Sequence, residues 1–321
     1  MTLPAILENR LSIPVVASPM FIASGPDLVI AQCKAGVVGS FPALNARPAS
    51  MLKDWLQQIT EELDGTDAAP FAVNQIVHRS NNRLEEDMAT LVEFEVPIVI
   101  TSLGARPEIN EAVHSYGGIV LHDVINDRFA HKAIEKGADG LIAVAAGAGG
   151  HAGTLSPFAL LQEIRRWFDG PLLLSGSIAH GRAILAAQAA GADLAYVGSA
   201  FLATDEANVV DDYKQMIVDS TADDIVYSDL FTGVHGNYLR GSIEAAGLDP
   251  DDLPKGDPST MDFSSGGASE AKAWRDIWGA GQGLGVIDAT VPAAELVARL
   301  KREYEQARAE LLGKVAVTVA G

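Results

Sequence analysis

Short apolar runs rich in Val and Ile alternate along this chain with longer stretches of helical periodicity. The runs predict strands at Pro14–Ser18, Gly36–Phe41, Pro70–Ile76, Val96–Leu103, Gly118–His122, Gly140–Ala145, Pro171–Gly176 and Asp193–Gly198. Each is apolar throughout rather than alternating, which is the pattern of a parallel strand covered on both faces. Helices are predicted between them, as at Ser156–Phe168 and His180–Ala190. Several helices run into a glycine that leads to the next strand, at Gly36, Gly137 and Gly191. There a left-handed cap needs a residue without Cβ. Eight β/α units within about 200 residues predict an α/β fold of the (β/α)8 TIM-barrel type, since a doubly wound sheet has fewer strands and an order reversal.

The pattern changes after Ala203. Residues 204–290 combine an acidic helical stretch, a loop rich in Asp, Pro and Gly at Asp249–Gly267 and a second apolar helix start, with no repeat of the strand pattern. The expectation is a barrel over 1–203, a mainly helical subdomain over its mouth at 204–290, and a C-terminal helix over 291–321 that packs back on the barrel. Its amphipathic part is Pro292–Leu312.

Charge narrows the partners. The 321 residues carry 42 acidic and 23 basic side chains, a formal net charge of −19. That field repels phosphate backbones and anionic lipid surfaces, so neither nucleic acid nor membrane is expected as a partner. An anionic ligand then depends on local backbone dipoles. The one cysteine, Cys33, excludes an intrachain disulfide and a cysteine zinc site and fits a reducing compartment, with cytoplasm the default. Pro4, Glu8, Arg10 and Pro14 break up the N-terminus as a signal peptide, and no run of 18 apolar residues occurs to span a membrane. No His, Asp and Glu cluster has metal-ligand spacing, so no metal is expected. A homo-oligomer is compatible with the sequence.

The informative chemistry follows the late strands. In a barrel, catalytic groups sit at the C-terminal strand ends, and a phosphate commonly sits after the seventh and eighth strands. Ser175-Gly176-Ser177 follows the seventh predicted strand and Gly198-Ser199 the eighth. Small residues there let backbone approach a ligand, and the following helix offers N–H groups to an anion. The sixth strand leads into Gly147-Ala148-Gly149-Gly150-His151, where an imidazole among bare glycines is placed for proton transfer. His122, at the end of the fifth strand, is a weaker candidate. The first strand runs into Ala17-Ser18-Pro19-Met20 and the third carries Asn74, and these could complete a pocket, Met20 against a flat ring and Asn74 as donor and acceptor.

The order PVVASPM, PFAVNQIV, GADGLIAVAAGAGGHAG and PLLLSGSIAHGRAILAAQAAGADLAYVGSAFLAT resembles the bacterial nitronate monooxygenases, once called 2-nitropropane dioxygenases. The likeness covers about residues 10–205, and Trp278-Gly279-Ala280-Gly281-Gln282-Gly283 resembles the family's C-terminal Gly-Gln element. The resemblance implies an FMN-dependent enzyme that oxidises alkyl nitronates, or nitroalkanes, with O2 to a carbonyl compound and nitrite. His151 is then the catalytic base and Met20 and Asn74 lie near the flavin. Ser175, Gly176, Ser177, Gly198 and Ser199 hold its phosphate, and Gly149 and Gly150 pass its edge. Two positions depart from the family. Ser177 stands where a second Gly is common, and Asp123 where some relatives carry Lys. Related barrels include NAD(P)H-dependent quinone and enoyl reductases, the alternative reading, and a non-catalytic flavin or phosphate sensor is a third.

Overall fold

The computed structural model describes residues 3–256 and 276–319. Every predicted strand is present: β1 (Val15–Ala17), β2 (Gly39–Pro42), β3 (Phe71–Ile76), β4 (Ile98–Ser102), β5 (Ile119–Val124), β6 (Gly140–Val144), β8 (Leu172–Ser175) and β9 (Leu194–Val197). A two-residue strand, β7 (Gly150–His151), stands apart from them. The helices between are α1 (Pro26–Lys34), α2 (Met51–Leu63), α3 (Leu84–Glu93), α4 (Pro107–His114), α5 (Asp127–Glu135), α6 (Pro157–Arg165) and α7 (Gly181–Ala189), and the single turn α8 (Ser199–Leu202) follows β9. The eight strands form one parallel sheet in the order β1-β9-β8-β6-β5-β4-β3-β2. A parallel bridge between Val16 and Val38 joins its two ends. The sheet is thereby a barrel, the TIM-barrel fold expected from eight β/α units.

Both faces of each strand are buried, which is why the strands read as unbroken apolar runs. Val16, Ile98, Ile100, Leu121, Ile142 and Leu173 pack together inside the barrel, and Leu7, from the segment before β1, joins them. Their sequence neighbours Val15, Ala17, Leu141, Leu172 and Leu174 face the helices. The glycines that end α1, α5 and α7 hold φ of +87° at Gly36, +95° at Gly137 and +112° at Gly191, as a left-handed cap requires.

Beyond Ala203 the described residues form α9 (Asp211–Asp219), β10 (Ile225–Ser228), β11 (Gly236–Leu239), α10 (Arg240–Ala245) and the long α11 (Ala293–Val319). The two strands are an addition to the helical pattern expected here. They pair antiparallel, and β11 pairs in turn with β7, with Gly236 opposite His151. β10 is half exposed and short, so it leaves no apolar run in the sequence. α11 crosses α7 so closely that a Cβ on Gly181 would collide with the backbone of Tyr304. The loop expected at Asp249–Gly267 lies outside the described residues from position 257 onward. Among the described residues no helix is long and apolar enough to cross a membrane.

Candidate active site

The C-terminal ends of the strands open into a cavity of about 610 Å³. Side chains alternate along a strand, so the residues one step beyond the apolar interior set its floor. They are Ser18, Asn74, Ser102, Asp123, Ser175 and Tyr196, a polar layer on an apolar plug. Asn74 Nδ2 donates to Ile100 O at 3.1 Å and to Ser102 Oγ at 2.8 Å, and Ser102 Oγ donates to Asp123 Oδ2 at 2.5 Å. Burial pushes the Asp123 carboxyl up to about 6 against the Ser102 hydroxyl and the Leu103 N–H, which favour its charge. Burial and the Asp123 charge together hold the Tyr196 hydroxyl protonated.

His151 enters from the side. Its strand β7 is held against β11, and Asn237 Nδ2 donates to Ala148 O at 2.6 Å just before it. His151 Nε2 lies 2.9 Å from Thr232 Oγ1. That hydroxyl donates its one hydrogen to Val234 O at 3.0 Å. It therefore accepts from His151, which puts the imidazole proton on Nε2 and leaves Nδ1 the basic nitrogen. Desolvation pushes His151 down to about 4, so the ring is neutral at pH 7.

At the far end three glycine-rich segments interlock. Ser177 N–H and Gln282 N–H both donate to Gly147 O, at 3.2 and 2.9 Å, and Gly281 N–H donates to Ser199 Oγ at 2.8 Å. Gly176 has φ +136° and a Cβ there would stand 2.8 Å from Ala146 O. Ser177 itself holds φ +56°, which is costly for a residue with a side chain. The charged side chains that line the cavity, among the described residues, are Arg47, Lys132, Lys136 and a single carboxylate, Asp123. In a chain with 42 acidic residues that excess of cations marks a place for an anion.

The structure brings the sequence candidates into this one cavity, with Ala17 outside it. Ala17 is fully buried toward the helices, and its carbonyl accepts from Ser40 Oγ at 2.6 Å. His122 lines the cavity but not its floor: Leu121 and Asp123 face inward, and His122 pairs with Thr101 on the opposite face. The missing Cβ of Gly149 makes room for the backbone of Gly281, 2.7 Å from where that atom would stand. Ser102, Tyr196 and Thr232 were not singled out from sequence. The first two follow from strand alternation once the inward phase is known, whereas Thr232 lies 81 positions from its partner with no local signal.

A family model for nitronate monooxygenase matches residues 81–303, more than half of the chain. The nitronate monooxygenase of Paraburkholderia phytofirmans is 26% identical across 93% of this chain and 94% of its own length. The solved nitroalkane oxidase of Streptomyces ansochromogenes superposes with a TM-score of 0.81 at 24% identity, covering 95% of this chain and 100% of that one. FabK of Thermotoga maritima gives 0.78 at 24% identity, covering 96% and 97%. At that identity the two structures share the fold.

Proposed function

The chain belongs to the nitronate monooxygenase family, an oxidoreductase family of flavoproteins, and from that premise we propose that it binds FMN and oxidises an alkyl nitronate. Two nitronates and one O2 give two carbonyl compounds and two nitrites, a balance that needs no nicotinamide.

The residues present fit FMN. Gly176, Ser177, Gly198 and Ser199 present backbone and small side chains at one end of the cavity, with no carboxylate among the described residues there, which suits a phosphate. Met20 and the floor residues Asn74 and Tyr196 suit the ring. When bound, FMN supplies the electron acceptor for the substrate.

His151 carries the reading of the reaction. Its neutral ring can sit beside an anionic nitronate, and its protonated Nε2 is held by Thr232. A base pushed down to about 4 is poorly matched to pulling a proton from a neutral nitroalkane, so the deprotonated nitronate is the better substrate.

The test is anaerobic mixing of the purified flavin-loaded protein with propionate 3-nitronate and, separately, with NADH and NADPH, following flavin absorbance. Bleaching by the nitronate faster than by either nicotinamide is expected. Rapid reduction by NADH or NADPH with an inert nitronate would overturn the reading in favour of a nicotinamide-dependent reductase.

A further inference from the structure

The floor of the cavity keeps one carboxylate that no cation neutralises. Arg47, Lys132 and Lys136 line the same cavity, yet among the described residues Asp123 pairs with none of them. The groups that favour its charge are the Ser102 hydroxyl and the Leu103 N–H. A buried carboxylate without a cation is costly to retain, and groups of this kind gather at functional sites.

The hydrogen bonds that reach it run in one direction. Ile100 O can only accept, so the amide atom 3.1 Å from it is Asn74 Nδ2, which also donates to Ser102 Oγ at 2.8 Å. With that hydroxyl accepting from Asn74, its one hydrogen goes to Asp123 Oδ2, 2.5 Å away. Both donors thus hold the ionised form against burial, which leaves the carboxyl at about 6 and charged at pH 7. In the sheet order β5 lies between β3 and β9. Asp123 is therefore flanked by the two floor residues that suit the flavin ring: Asn74 is one hydroxyl away, and Tyr196, hydrogen-bonded to Ser18, feels its charge.

We infer that Asp123 holds a negative charge against the flavin ring and lowers the site's affinity for reduced FMN relative to oxidised FMN, so that the midpoint potential is below that of a neutral floor. The inference rests on the FMN reading above. Electrons added to the ring make it more negative, and a carboxylate in a floor of low dielectric opposes this more strongly than water does. A cofactor held at lower potential gives its electrons to O2 with a larger driving force.

The test is the midpoint potential of bound FMN at pH 7, measured by dye-coupled anaerobic reduction of the unaltered protein and of Asp123→Asn, Asp123→Glu and Ser102→Ala, each saturated with FMN. Asp123→Asn removes the charge and keeps the shape. The ratio of reduced to oxidised FMN affinity should rise about tenfold, which for a two-electron couple is about 30 mV upward. Asp123→Glu keeps the charge and should move the potential by less than about half of that. Ser102→Ala removes a donor to the ionised carboxyl and should move it upward by a smaller amount than Asp123→Asn. A potential unchanged in Asp123→Asn, or raised equally by Asn and Glu, overturns the inference. If Asp123→Asn does not retain FMN, Ser102→Ala decides, and the absence of an upward shift there overturns it. Failure of the unaltered protein to bind FMN removes the flavin reading and this inference with it, whereas bound FMN indifferent to the charge at Asp123 removes this inference alone.

Discussion

His151 Nε2 and Thr232 Oγ1 stand 2.9 Å apart, and because that hydroxyl is already donating to Val234 O, the contact decides which imidazole nitrogen is basic. A segment 81 positions downstream thus sets the tautomer of a residue in the barrel's sixth loop. The chemistry at His151 depends on the β10–β11 hairpin as much as on the barrel.

Removing the acceptor tests this. Thr232→Val removes the acceptor that keeps the imidazole proton on Nε2, so turnover of a neutral nitroalkane, which needs Nδ1 as the base, should fall roughly 10-fold or more, with a nitronate less affected. Thr232→Ser keeps the hydroxyl and should restore most of it. Steady-state kinetics of both variants, at matched FMN content, check the claim, and a serine variant as impaired as the valine one would show that the methyl group mattered instead.

His151→Asn separates base from positioning group. Turnover of a neutral nitroalkane should fall by about 10²–10⁴, whereas a nitronate, already deprotonated, should suffer far less. Anaerobic flavin reduction by each form is the measurement. Equal loss on both substrates with FMN retained would leave His151 a positioning residue.

Gly176→Val should cost the protein its cofactor. The site holds φ +136°, and any Cβ there meets Ala146 O at 2.8 Å, so the turn must move away from the phosphate it is proposed to hold. The purified variant is expected colourless or nearly so, with FMN affinity down by more than tenfold on titration. FMN retained at the unaltered level would remove the phosphate from this turn.

The Asp123 carboxyl sets a pH dependence with a definite sign. Its folded value of about 6 stands above its ordinary 3.8, so the stability it contributes is present in full below 3.8 and is lost as pH rises through about 6. Ser102 Oγ donates to the ionised form, and Ser102→Ala should therefore move the carboxyl further up. A side-chain carbon-13 titration should place its midpoint above that of the unaltered protein. The gap between their urea midpoints should be smallest near pH 4, where only the loss of the Asn74 bond to Ser102 remains, and should widen by pH 8, the variant lower. A midpoint that falls on substitution contradicts the donor role.

The barrel and much of the candidate site were legible in the order of the residues. Strands buried on both faces have to be apolar throughout, and small residues at the ends of β8 and β9 mark where backbone comes close to a ligand, so both leave a signal in local sequence. The same double burial hid the rest. With Val120 and Leu121 equally apolar, β5 carries no alternation to say which side faces inward, and His122 and Asp123 could not be assigned to outer face or floor until the sheet closed on itself through Val16 and Val38. The pairing of β7 with β11, the hydroxyl of Thr232 on His151 and the excess of cations around the cavity each join residues far apart in the chain. Such contacts are fixed by packing, to which no local propensity corresponds, and so only the tertiary structure decided them.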